Sequence, residues 1–159
     1  LEIARATRRV RLGPAAVNPF TCHPINIAGN IALLDEASGG RAYLGLARGA
    51  WLDFVGLAPE RPVAALREAF ACVRHLLEQR REPFESTVFP LAGGDALRWR
   101  ILRPDIPFLL GSWGPTAMRA CAPLVSEWSA PLQVSLIICP TSPVIANGQA
   151  RGHSVSTTD

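Results

Sequence analysis

The chain has 159 residues, 48 % hydrophobic and 18 % charged, an ordinary globular composition with enough length for one domain and a real core. All sixteen basic residues are arginine and the net charge is +3, which points to codon usage in a GC-rich genome rather than to a nucleic-acid partner. Four scattered cysteines and three well-separated histidines give no metal-ligand spacing.

The thiols read as reduced and the protein as cytoplasmic. No stretch reads as a membrane anchor: the apolar run at 134–139 is far too short to cross a bilayer. The first residue is Leu1, and residues 1–8 look like the closing turns of a helix. Arg5, Arg8, Arg9 and Arg11 cluster at that helix end, where positive charge complements the dipole, so a solvated structural role is expected of them.

Residues 10–17 read as a strand buried on both faces, closed by Asn18-Pro19. A helix follows over 23–38, with Pro24 at its first position, Thr21 or His23 as its cap, and Ile27, Ile31 and Leu34 on one face. Asp35 and Glu36 sit badly for the helix dipole, which suggests another role or a pairing with Arg41. Gly39-Gly40 ends the helix and residues 42–47 form the next strand. Strand, helix and strand in this order predict two parallel neighbours with a crossover, whose chemistry belongs at the strand ends, near 15–19 and 48–51.

After a loop at 50–61, Pro62 opens a second helix with Val63, Leu66, Phe70, Val73 and Leu77 on its apolar stripe. His75 falls off that stripe and is expected at the surface or rim. Residues 84–102 read as a hairpin turning at Gly93-Gly94, with Leu97, Trp99 and Ile101 alternating. A short buried strand at 106–111 leads into a helix with Pro115 at its first position, which Pro123 should end early. Beyond Trp128 the pattern fails, and the end of the chain reads as a disordered tail without periodicity.

Five segments in this order carry a resemblance: Leu12-Gly-Pro-Ala-Ala-Val-Asn-Pro19, His23-Pro24, the run from Leu34 to Gly49, Arg61-Pro-Val-Ala-Ala-Leu-Arg-Glu68, and Gly111-Ser-Trp-Gly-Pro115. Together they resemble the bacterial luciferase-like family of flavin-dependent oxidoreductases. They are closest to its deazaflavin-using branch, such as methylenetetrahydromethanopterin reductase. The resemblance implies an α/β fold, part of a (β/α)8 TIM barrel comprising about strands three to five and the start of a sixth. A whole barrel needs roughly 250 residues, so residues 1–128 read as a truncated barrel and 129–159 as a divergent tail, a fragment or the product of a frameshift near Trp128.

It also implies a non-prolyl cis peptide at Ala15–Ala16, in a bulge backing the isoalloxazine ring of a deazaflavin coenzyme (F-420 type) or FMN. Asn18 would hydrogen-bond the polar edge of the ring or simply form a turn. Arg48 would face cofactor or substrate, or sit in a surface ion pair. Trp113 would wall the ring pocket or pack in the core. Ala50 stands where some relatives carry a proton-donating acid, so that role is not expected here. The implied activity is hydride transfer to or from a small organic substrate, or monooxygenation, with no nucleic-acid or membrane partner. The alternative is a non-catalytic remnant or subunit that pairs its open sheet edges with another chain; a homodimer stands as an open option.

Overall fold

The computed structural model describes residues 1–112 and 114–129, the last three by backbone alone. The expected tail therefore lies outside the described residues from Ala130 onward. The elements are α1 (Glu2–Ala6), α2 (Pro24–Ser38), β1 (Leu44–Ala47), α3 (Pro62–Leu77), β2 (Phe108–Gly111), α4 (Pro115–Cys121) with a 3-10 turn (Ala122–Leu124), and β3 (Glu127–Ser129). The three strands form one sheet in sequence order, with β1 parallel to β2 and β2 parallel to β3. Successive strands are joined through helices, the repeating unit of a parallel barrel.

The segment 12–17 adds a fourth parallel row beside β1, but not as the regular strand expected of 10–17. Leu12 pairs with Ala42 and Val17 with Leu46, so five steps along one chain are matched to four along the other. One residue is extra, which defines a β-bulge. The ladder brackets it. Tyr43 N–H donates to the Leu12 carbonyl at 2.9 Å and Gly45 N–H to the Pro14 carbonyl at 2.9 Å before the bulge; Ala47 N–H donates to the Val17 carbonyl at 3.0 Å after it. Pro14 has no N–H to give, so regular pairing stops there. The peptide bond joining Ala15 to Ala16 is cis, at the position implied by the resemblance.

Large side chains alternate along the strands. Leu44, Leu46, Phe108 and Leu110 belong to the cluster built with α2 and α3, including Ile27, Ile31, Leu66, Phe70 and Val73. Phe70 lies 5.5 Å from Phe108, ring centre to ring centre, and the Arg74 guanidinium covers the same ring at 4.1 Å. His23 proves to be the cap of α2: its Nδ1 accepts from Ile25 N–H at 3.2 Å, and Gly39 at φ 67° closes the other end.

Two expectations fail for one reason. His75 is buried, 6 % exposed, with its ring 5.3 Å from Phe84. Residues 84–102 are not a two-stranded hairpin: Phe84 and Leu91 make a single antiparallel bridge, and Leu97, Trp99 and Ile101 have no partner strand. This segment lies instead across the outer face of α3 and satisfies its backbone there. Glu68 accepts from Ser86 Oγ at 2.6 Å, Thr87 N–H at 3.0 Å and Val88 N–H at 3.2 Å, contacts that hold its carboxyl below the ordinary range with the Ser86 hydroxyl as the largest cause. Gln79 Nε2 donates to the Leu97 carbonyl and Gly94 N–H to the Arg81 carbonyl. A covered outer face keeps His75 nearly buried.

The pairing expected between Asp35 and Arg41 is also replaced. Asp35, 1 % exposed, accepts from Ala42 N–H at 3.0 Å and from Arg103 Nε and Nη2 at 3.0 and 2.8 Å. The carboxylate in turn raises the pKa of Arg103. Arg41 turns the other way and donates to the carbonyls of Ser38, Ala4, Thr7 and Val10. A fork of five N–H groups suits both tasks.

Replacing Arg103 with Leu strands the buried Asp35 carboxylate, and the expected cost is about 3 kcal/mol in a urea unfolding curve. Arg103→Lys keeps charge but not the fork and should fall between. A loss under about 1 kcal/mol for Arg103→Leu would place the pair with ordinary surface salt bridges.

Candidate functional site

The carboxyl ends of the parallel rows lie side by side: Val17-Asn18, Ala47-Arg48 and Gly111-Ser112. Because Leu44, Leu46, Phe108 and Leu110 face the helices, the period of two turns Gly45, Ala47, Leu109 and Gly111 to the opposite face. There the side chains are small where the rows end. A Cβ placed on Gly111 would lie 3.1 Å from the Ala47 Cβ and 3.6 Å from the Ala16 Cβ. Ala16, Ala47 and the Gly111 backbone therefore converge into one patch with almost no relief.

The bulge and β1 are matched in shape one step lower. A Cβ on Gly45 would sit 2.5 Å from the Pro14 carbonyl oxygen and 3.2 Å from Leu109 Cδ2. Only glycine lets β1 pass beneath the bulge. Gly49 plays a similar part at the exit of β1: its φ is 82°, and a Cβ there would lie 2.2 Å from Asn18 Nδ2.

Asn18 is in a turn, as one of its two readings held. Its Oδ1 accepts from Phe20 N–H at 2.8 Å and its carbonyl from Cys22 N–H at 3.1 Å. The amide Nδ2 remains at the edge of the patch, against Gly49. Arg48 is exposed and takes part in no ion pair among the described residues. Trp113 lies outside the described residues. The structure thus brings Ala16, Asn18 and Arg48 to one end of the sheet, with Ala15 in the bulge that positions Ala16. Ala47 and Gly111 were not singled out from the sequence as site residues. The signal was present: large residues at 44, 46, 108 and 110 alternate with small ones at 45, 47 and 111.

The loop leaving β1 adds a second feature the sequence reading passed over. Leu52 is buried and anchors it, with Val55 N–H donating to the Trp51 carbonyl at 3.2 Å and Leu57 N–H to the Leu52 carbonyl at 2.9 Å. Trp51 and Phe54 are held in solvent, 83 % and 90 % exposed.

Thiol chemistry is disfavoured at Cys72 and Cys121. Burial pushes Cys72 up to about 11 and raises Cys121 as well, so neither supplies thiolate near neutrality. No group of His, Cys, Asp and Glu among the described residues could hold a metal ion, and none of their helices is long and apolar enough to cross a membrane.

The chain belongs to the luciferase-like monooxygenase family, whose model matches residues 3–130. It is 32 % identical over 124 residues to 5,10-methylenetetrahydromethanopterin reductase of Archaeoglobus fulgidus, a match covering 77 % of this chain and 36 % of that one. Among solved structures it resembles the coenzyme F420-dependent tetrahydromethanopterin reductase of Methanopyrus kandleri, with a TM-score of 0.69 and 30 % identity over 79 % of this chain and 41 % of the other. It also resembles the monooxygenase RslO1 of Streptomyces bottropensis, with a TM-score of 0.64 and 29 % identity over 75 % and 37 %. The fold is the family's TIM barrel in part, and the chain spans a little over a third of the length of these relatives.

The close approach of bulge and β1 makes Gly45 the least replaceable glycine of the site. Gly45→Ala should destabilise by about 1–3 kcal/mol through overpacking against Pro14 and Leu109, read as a lower urea midpoint at unchanged slope. An unchanged midpoint would mean that the bulge does not sit on β1 as described.

Proposed function

We propose that this chain forms the ring-binding part of a flavin- or deazaflavin-dependent oxidoreductase acting on a small organic substrate. The observation that carries the reading is the convergence of Ala16, Ala47 and Gly111 at the carboxyl ends of three parallel rows. A planar tricyclic ring needs a flat, close support, and side chains no larger than methyl provide one. Added Cβ bulk at Gly111 would press on Ala47, so the patch is already as full as a flat surface allows. The family and the F420-dependent relatives support the same cofactor class, F420 or FMN.

When bound, such a ring supplies hydride chemistry, and FMN can instead react with oxygen; the protein's part is to bind and orient. Ala16, Ala47 and Gly111 would set the depth and plane of the ring. Asn18 Nδ2, whose partner Oδ1 is already committed to Phe20 N–H, would donate one hydrogen bond to the ring's polar edge. Arg48, exposed at the exit of β1, would attract an anionic part of cofactor or substrate. The apolar faces of Trp51 and Phe54, on the loop leaving the same strand, would shield bound substrate from water. Ala50 offers no proton, so a proton required by the reaction would come from elsewhere than this position.

Titration of the purified chain with F420 and with FMN, followed by ring fluorescence, should show saturable binding of one of them. Ala16 is exposed, so Ala16→Leu should leave the melting temperature unchanged while covering the patch and weakening binding at least about tenfold, equivalent to roughly 1.4 kcal/mol. No binding of either cofactor at high micromolar concentration by the folded chain would overturn the reading, and so would undiminished binding by Ala16→Leu.

A further inference from the structure

Asn18 and Gly49 stand side by side where the bulged row and β1 give way to their loops. The turn that carries Asn18 is held from several directions. Its carbonyl accepts from Cys22 N–H at 3.1 Å and from Thr21 Oγ1 at 3.3 Å. Pro19 is fully buried, and the Phe20 ring stacks on Phe89 with 6.0 Å between centres. Phe20 N–H, held in this way, donates to Asn18 Oδ1 at 2.8 Å. A backbone N–H can only donate, so the amide oxygen faces it and the amide nitrogen faces away. That nitrogen donates to no described residue.

The space beside the nitrogen belongs to Gly49. A Cβ there would lie 2.2 Å from Asn18 Nδ2, 2.7 Å from its Cγ and 3.2 Å from its Cβ. The amide is pinned at Oδ1, so it can yield to such a methyl group only by giving up Phe20 N–H. Gly49 also has φ 82°, which by itself favours glycine. Gly56, in the same loop, separates the two demands: its φ is 69°, and a Cβ there would meet nothing within 4 Å.

We infer that Gly49 is a positioning residue for ligand binding. By leaving room for the amide it keeps Asn18 Nδ2 as a fixed donor at the edge of the ring patch, and so selects a ring whose edge presents an acceptor such as a carbonyl oxygen. A donor oriented in advance loses little freedom when the ligand arrives. This role rests on the reading of the patch as a ring site and acts wholly through Asn18.

The first test is NMR on the chain without cofactor, with the Asn18 side-chain amide assigned by its loss in Asn18→Ala. The unmodified chain should show a strong NOE between those amide protons and Gly49 Hα. The amide signals should move in Gly49→Ala and stay in place in Gly56→Ala, which carries similar backbone strain into open space. The second test is titration with F420 and FMN. Gly49→Ala and Asn18→Ala should each weaken binding about tenfold, the scale of one hydrogen bond, and the double variant should bind no more weakly than Asn18→Ala. Gly56→Ala should bind like the unmodified chain. Asn18→Asp, which keeps an acceptor for Phe20 N–H but replaces Nδ2 with oxygen, should bind no better than Asn18→Ala.

A missing NOE refutes the placement even where Gly49→Ala fails to fold. Unmoved amide signals in Gly49→Ala, equal losses of binding in Gly49→Ala and Gly56→Ala, additive losses in the double variant, or full binding by Asn18→Asp would each overturn the inference. No binding of either cofactor by the unmodified chain would bring down the ring reading instead, and the cofactor-free signals tell the two failures apart.

Discussion

The Asp35 carboxylate is enclosed almost completely, and such a charge persists only where every side of it is answered. The Ala42 N–H answers one oxygen, and the Arg103 fork answers both. The same Arg103 Nη2 also reaches the Ala42 carbonyl at 2.9 Å. One guanidinium, 61 residues along the chain from Ala42, therefore sets where α2 ends, where β1 begins and how the approach to β2 lies against both. Register in a parallel sheet is not fixed by a tight turn, because the neighbours are joined by long crossovers. Here the register is fixed at the amino ends of the strands by paired and forked contacts.

Arg41 and Arg74 extend the same principle. Arg41 gathers the carbonyls left over at the end of α1 and the start of the bulged row. Arg74 donates to the carbonyls of Pro104 and Ile106 while its plane covers Phe108. Burial lowers the pKa of Arg74, yet a guanidinium remains charged at any ordinary pH. In a chain without lysine, the flat five-donor group takes over the satisfaction of irregular backbone that neither helix nor strand accounts for.

Much of this was legible in the sequence because it rests on local rules. Pro24, Pro62 and Pro115 start helices, Gly39 ends one, and the stripe from Leu66 to Leu77 is the buried face of α3. The bulge at Ala15–Ala16 was legible only through the resemblance, since nothing in two alanines announces it. The misses were long-range. Asp35 finds Arg103 rather than Arg41 because the approach to β2 passes the end of α2, which no spacing reveals. The segment 84–102 alternates like a strand, but Glu68 on α3 and Gln79 just past its end offer its backbone partners before a strand can, and the cover so formed buries His75. Ala47 and Gly111 are small for the sake of each other and of Ala16, a relation that exists only once the rows are set in register.

The two ends of the sheet are consequently unlike in physical character. At the amino ends the chain is tied by ionic and forked hydrogen bonds, strong where water is kept away. At the carboxyl ends the described residues offer methyl groups, glycine backbone, one amide at Asn18 and one exposed cation at Arg48. Such an end holds little stability of its own, which leaves it free to be shaped for a ligand. A flat ring would gain there through close contact over its whole face, and that gain would fall steeply with any added side-chain bulk. A preference of this end for a planar group would follow from what its residues lack. Its precision is borrowed from the bolts at the other end, because a shift of one residue in the register of β1 would bring Leu46 in place of Ala47 onto the face where the ring would lie.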